Sequence, residues 1–296
     1  MSELHKIAGD LVAAGKGILA ADESTGTMTK RLKSVNIDSN ETNRLMFRNF
    51  LFTSTEMKKC IGGVILFDET INQKVGEKSI PFIIKENGSI PGIKVDTGAK
   101  VLAGSENEKV TEGLDGLRER LKIYYKLGSR FTKWRGVYNI SKSCPSRLAV
   151  HANAHALGRY AALAQESGMV PIVEPEVLMD GSHGSDVCLK VSCEVIKKCF
   201  DELLINKVDL KGIILKPNMI LPGSESAEKS TSKVIAEMTL ECLKDSVPSE
   251  VPGIAFLSGG QSEIQASENL NEINLINNTN FTITFSYGRA LQHSAL

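Results

Sequence analysis

The stretch Gly212-Ile213-Ile214-Leu215-Lys216-Pro217-Asn218 decides how the chain is to be read. Its apolar residues run without alternation, the pattern of a strand buried on both faces, as in a parallel sheet. Pro217 has no N–H to give a ladder and marks the strand's end. Lys216 is therefore expected at the rim of a dry core. Desolvation lowers a lysine's pKa from ~10.4 toward the roughly 7–8 that enzymes use, and a neutral amine so placed can condense with a carbonyl to form a Schiff base. An isolated Leu-Lys-Pro is more often a lysine reaching solvent or pairing with a carboxylate, so its meaning rests on the rest of the chain.

Similar buried runs recur along the sequence: Gly17–Asp22, Gly62–Phe67, Gly92–Asp96, Phe131–Val137, Val170–Pro175, Gly212–Lys216, Gly253–Ser258 and Phe281–Ser286. Their spacing of roughly 30 to 45 residues is the scale of one strand–helix unit. Helices are expected between them. Leu114–Leu127 and Asn153–Ser167 each close on a glycine suited to a left-handed cap. Val187, Val191, Val195, Cys199 and Leu203 recur at helical spacing, Ser262–Gln265 forms a capping box, and Met238–Leu243 stops short of Pro248. Eight such units in 296 residues predict an α/β protein, a (β/α)8 TIM barrel in one domain. The rival is an open doubly wound sheet, but the first run is followed by Asp22-Glu23-Ser24-Thr25-Gly26-Thr27 rather than GxGxxG.

Lysine plus arginine (35) balances aspartate plus glutamate (35), so there is no general basic field for nucleic acid or an anionic membrane. No apolar run reaches the ~20 residues of a membrane span. The opening Met1-Ser2-Glu3-Leu4-His5-Lys6 does not read as a secretory signal. The six cysteines include no CxxC and read as free thiols of a reducing, cytoplasmic compartment.

In a barrel the carboxyl ends of the strands share one mouth. Those ends carry Asp22, Lys94 with Asp96, Lys133 with Arg135, Glu174 with Glu176, and Lys216. Residues two apart on a strand share a face, so the doublets can point into one cavity. Buried charges cost several kcal/mol each unless paired, which makes so many converging ions hard to explain as structure alone. Lys133 and Arg135 would further depress the pKa of Lys216, and the carboxylates could move protons. Ser258-Gly259-Gly260 and Ser286-Tyr287-Gly288-Arg289 offer hydroxyls, unshielded N–H groups and a guanidinium for a phosphate. Ser24, Thr27, Arg31 and Lys94 could hold a second one. In the last strand, Thr282, Thr284 and Ser286 are expected to face inward, with Phe281, Ile283 and Phe285 under the outer helices.

With these residues assembled, the chain resembles the class I fructose-1,6-bisphosphate aldolases. The blocks KGILAADESTG, GGVILF, GIKVD, GLDGL, KWR, PIVEPE, LKPNM, FLSGGQSE and FSYGRALQ carry the resemblance, in the family's order, over nearly the whole chain. It implies Lys216 as the Schiff-base lysine, Glu174 as acid/base for the carbinolamine steps, Asp22 as the base at the C4 hydroxyl, and Lys133 assisting with Arg135 beside it. It implies one phosphate site at Ser258, Gly259, Gly260, Ser286, Gly288 and Arg289, and another at Ser24, Thr27, Arg31 and Lys94. Thr27 stands where the family more often has serine. The iminium implies carbon–carbon cleavage without metal or other cofactor. A homotetramer and actin or other cytoskeletal partners are also implied. The resemblance further implies a last barrel helix and a tail ending in tyrosine beyond Leu296, where this sequence stops; as written, the chain is expected to form the Schiff base but to turn over slowly.

Three rival readings have their own marks. His151 and His155 at i, i+4 suggest a metal-dependent barrel, though no glutamate lies between them and no third ligand is obvious except His183. An isomerase or synthase would use Lys216 only as a charge. A non-catalytic scaffold would need a marked interaction surface, which the composition does not supply.

Overall fold

The unbroken apolar runs pair with one another because none can leave a face in water. In the computed structural model, which describes residues 2–296, they form β1 (Gly17–Ala21), β2 (Ile61–Leu66), β3 (Ile90–Lys94), β4 (Phe131–Tyr138), β5 (Val170–Val177), β6 (Ile214–Leu215), β7 (Gly253–Phe256) and β8 (Thr282–Tyr287). These close an eight-stranded parallel barrel in chain order, with Ile18 of β1 opposite Ser286 of β8. The expected (β/α)8 architecture is therefore present, and no open edge remains for a doubly wound sheet.

The strand interiors divide into two storeys on the same alternating face. Near the amino-terminal ends, Ile18, Ala20, Ile65, Phe131, Val170, Ile172, Ile214 and Ala255 form one apolar cluster. Ile7, Ala8 and Leu11 of α1 (Glu3–Leu11) join it and plug that end. The Phe131 ring fills the space beside Gly92, where an added Cβ would lie 2.3 Å from it. Two residues further along, the same face turns charged: Phe131 gives way to Lys133, Ile172 to Glu174, and Ile214 to Lys216.

The outer face packs in a larger cluster that includes Trp134, Val173, Leu215, Phe256 and Ile283. Residues of α3 (Glu41–Phe52), α4 (Ile80–Glu86), α5 (Leu117–Lys126), α6 (Arg147–Glu166), α7 (Ser185–Ile205), α8 (Ser232–Ser246) and α9 (Glu263–Leu275) join it, while α2 (Thr25–Ser34) buries Met28 and Leu32 apart from it. Phe281, Ile283 and Phe285 pack with this outer layer while Ser286 lines the mouth, as expected; Thr284 is buried and donates to the Lys16 carbonyl, but Thr282, at the strand's start, is exposed rather than enclosed.

Several boundaries differ from expectation for local reasons. α5 begins at Leu117 rather than Leu114 because Gly113 and Gly116 both take positive φ (126° and 64°). α6 begins earlier, at Arg147, where the Ser146 hydroxyl accepts from the Ala149 N–H. β6 is short, since residues Leu210–Gly212 coil into a 3-10 turn. Val187 is 45% exposed while Val195, Cys199 and Leu203 are buried; strict four-residue spacing drifts about 40° per step against a 3.6-residue turn. The capping box at Ser262 and Gln265 is formed.

Candidate active site

Because the inward faces of β1, β3, β4, β5 and β6 change to charged residues at the same height, the mouth collects ions that would not otherwise leave water. A cavity of about 1040 Å³ opens there. Asp22, Lys133, Glu174 and Lys216 lie in its wall and are 9, 5, 3 and 3% exposed. They form a continuous chain. Lys133 Nζ donates to Asp22 Oδ2 at 3.0 Å and faces Glu174 Oε2 at 2.9 Å, while Glu174 Oε1 lies 3.1 Å from Lys216 Nζ.

Each charge state follows from that chain. Burial pushes the Lys216 pKa down and the Lys133 cation adds to the effect, with Glu174 and Asp22 opposing. Burial also disfavours the Lys133 cation, but Asp22, Glu174 and Asp96 outweigh it and hold that pKa high. Burial would raise the carboxyls of Asp22 and Glu174; the neighbouring lysines overcome it and keep both low. The site therefore holds one firm cation, two firm carboxylates and one easily neutralised amine. Arg135 lines the cavity, but its Nε donates to Glu176, so its charge is largely answered there. Lys133, not Arg135, is the cation that acts on Lys216.

Local structure fixes the amine. The Lys216 N–H donates to the Val173 carbonyl at 2.8 Å. Beyond Pro217, Asn218 accepts from the Val177 N–H at 2.9 Å and donates to Ser192 at 3.1 Å.

Two polar patches flank this chain. On one side, Ser258, Gly259 and Gly260 follow β7, and Ser286, Gly288 and Arg289 end β8; all line the cavity. Gly259 and Gly260 have φ of +56° and +85°, a left-handed pair that side chains disfavour. The Ser286 hydroxyl is buried without a partner, and Arg289 is exposed and makes no ion pair among the described residues. On the other side lie Ser24, Thr27, Arg31 and Lys94. Ser24 caps α2 and lies 3.1 Å from the Thr27 hydroxyl. Lys94 Nζ sits 4.9 Å above the Phe67 ring. Arg31 is held by Glu23 and Gln292, and its Nη2 has no partner among the described residues.

Some supports of this site carry no motif. Arg48, 1% exposed on α3, donates to the Glu23 carbonyl at 2.6 Å and to Thr70 at 2.8 Å, bracing the segment that bears Asp22. The only trace in the sequence is the spacing of Arg44, Arg48 and Phe52 on one helical face. Asp96 also lines the cavity, with burial raising its pKa. His151 and His155 face Glu202 on α7, Nδ1 to carboxylate at 3.7 and 3.0 Å, outside the cavity. His183 does not join them, and among the described residues no group of three or more His, Cys, Asp or Glu side chains is arranged to hold a metal ion.

A profile of the class-I fructose-bisphosphate aldolases matches residues 3–296. A probable fructose-bisphosphate aldolase class 1 of Xanthomonas campestris pv. campestris is 49% identical, over 100% of this chain and 89% of that protein. The cytosolic fructose-bisphosphate aldolase 6 of Arabidopsis thaliana is 52% identical, over 95% of this chain and 79% of that one. Among solved structures, the fructose-bisphosphate aldolase of Plasmodium falciparum, in complex with TRAP and a small-molecule inhibitor, superposes with a TM-score of 0.97 at 47% identity, covering 99% of this chain and 86% of that chain.

Proposed function

The chain belongs to the class-I fructose-bisphosphate aldolase family, and we propose that it performs that family's reaction with Lys216 as the imine-forming amine. The activity is that of a glycolytic aldolase: reversible cleavage of fructose 1,6-bisphosphate to dihydroxyacetone phosphate and glyceraldehyde 3-phosphate through a lysine Schiff base. The observation that carries the residue assignment is the buried chain Asp22–Lys133–Glu174–Lys216.

Lys216, biased toward its neutral form, attacks the ketose carbonyl at C2. Glu174, beside that nitrogen, moves the protons of carbinolamine formation and dehydration. The resulting iminium is the electron sink. Asp22 takes the proton of the C4 hydroxyl as the C3–C4 bond breaks, and the enamine is then protonated. Lys133, between the two carboxylates, keeps both ionised and aligned. Since Lys216 neighbours β7, the C1 phosphate falls to Ser258, Gly259, Gly260, Ser286, Gly288 and Arg289. The C6 phosphate lies on the Asp22 side, with Ser24, Thr27, Arg31 and Lys94. Arg135, tied to Glu176, borders the sugar. Holding both ends supplies orientation.

In this reading the chain is one catalytic domain and the chemistry needs no metal. A cytosolic setting and protein partners rest on relatives: Arabidopsis proteins named cytosolic, and a Plasmodium aldolase in complex with TRAP. A homotetramer rests on family habit. The test is a coupled cleavage assay with and without EDTA on the wild type and Lys216→Met. Undiminished activity in EDTA and none in the variant is expected. Loss in chelator, or cleavage by Lys216→Met, would contradict the assignment.

A further inference from the structure

Gln292 is fully buried at the end of the short helix Arg289–Gln292. Its carbonyl oxygen accepts from Arg31 Nη1 at 3.0 Å, and its amide donates to the Ala20 carbonyl at 2.7 Å. Both bonds lie at the seam where the barrel closes. The β8–β1 pairing ends at Leu19 opposite Tyr287, and the Ala20 carbonyl just beyond receives the Gln292 amide. Gly288 passes close by, with an added Cβ only 3.3 Å from the same carbonyl.

One side chain thus joins the two phosphate-binding ends. Arg289 lies three residues before Gln292 in the same helical turn, and Arg31 is held from α2 by the Gln292 side chain. Glu23 takes another bond from the same Nη1, which leaves Nη2 as the amino group with no partner among the described residues. A largely buried guanidinium with both contacts on one nitrogen presents the other in a fixed direction.

We propose that Gln292 is a positioning residue that sets Arg31 relative to Arg289, and so confers preference for a ketose with phosphates at both ends over one phosphorylated only at C1. This rests on the assignment above, in which only the C6 phosphate meets Arg31. A charge-assisted contact from a guanidinium to a phosphate is worth on the order of tenfold in binding or more, and without Gln292 the Arg31 guanidinium keeps only its Glu23 bond to aim it. Gln292→Met removes both bonds at similar length. Gln292→Glu keeps an acceptor for Arg31.

The test compares KM and kcat of wild type, Gln292→Met, Gln292→Glu, Arg31→Met and the Arg31→Met/Gln292→Met pair on fructose 1,6-bisphosphate and fructose 1-phosphate. For Gln292→Met, KM for the bisphosphate should rise about tenfold while kcat/KM for the monophosphate stays within about twofold. Gln292→Glu should recover most of the loss, and the double variant should be no worse than Arg31→Met alone. Equal losses on both substrates, an unchanged bisphosphate KM, or additive losses in the double variant would overturn the proposal. Should Gln292→Met not fold, a bisphosphate KM ratio for Gln292→Glu no different from that of Arg31→Met would overturn it as well. A wild type that cleaves neither substrate would instead overturn the catalytic assignment itself.

Discussion

Lys133 and Glu174 face each other at 2.9 Å between adjacent strands, and Lys133 also holds Asp22 at 3.0 Å. One buried cation thus answers two buried carboxylates, and one of them, Glu174, lies 3.1 Å from the amine of Lys216. The fold secures this by placing all four on the inward side at one height of the barrel, Asp22 and Lys216 just past β1 and β6, and Lys133 and Glu174 within β4 and β5.

Lys133→Met should therefore fail in two ways. Two carboxylates lose their nearest counter-charge in a dry site, costing about 3–5 kcal/mol. Loss of the aligned acid/base pair should reduce cleavage by about 10²–10⁴-fold. Urea unfolding and steady-state kinetics measure the two effects separately. A stable variant with near-normal cleavage would refute the role given to Lys133.

The lowered Lys216 pKa has a kinetic sign. Imine formation needs the neutral amine, so its rate should rise with pH and level off well below the ~10.4 of a free lysine. Glu174 raises the Lys216 pKa. Glu174→Gln should accordingly move the midpoint lower while depressing the plateau through loss of proton transfer. The single-turnover rate of adduct formation against pH reads both; a midpoint near 10 in the wild type would oppose the claim.

Acid should destabilise the fold through Asp22 and Glu174. Both have folded pKa values below their ordinary ones, so the unfolded chain binds protons first. Their stabilising effect is complete above the ordinary carboxylate range of about 4 and is lost as pH falls toward the lower folded values. Urea midpoints should drop below about pH 5, and less steeply in Asp22→Asn. Parallel curves for the two proteins would exclude Asp22 as a contributor.

Gly158 tests the packing of α6 on α7. Alanine is the better helix former by about 1 kcal/mol. Its Cβ would, however, lie 2.7 Å from the Glu202 carbonyl oxygen, and overpacking typically costs 1–3 kcal/mol. Packing should win, so Gly158→Ala should melt lower than wild type.

Much of the frame was legible because strands buried on both faces read as unbroken apolar runs, from Gly17 to Ser286. The charged rim could be read for the same reason: a lysine or glutamate two residues beyond an inward Phe131 or Ile172 must stay on that face. What stayed hidden depends on contacts far apart in sequence. Gln292 is separated from Ala20 by 272 positions, and Arg48 from Glu23 by 25; neither sits in a pattern that foretells its partner. The tie of Arg135 to Glu176 was likewise invisible, since both looked free to face substrate.

Borohydride trapping reads which nitrogen forms the imine. Wild type and Lys216→Met are incubated with dihydroxyacetone phosphate, reduced with borohydride, digested and mapped by mass spectrometry. One reduced adduct is expected, on the peptide carrying Lys216, and none in the variant. An adduct on Lys133, or an undiminished adduct in Lys216→Met, would contradict it.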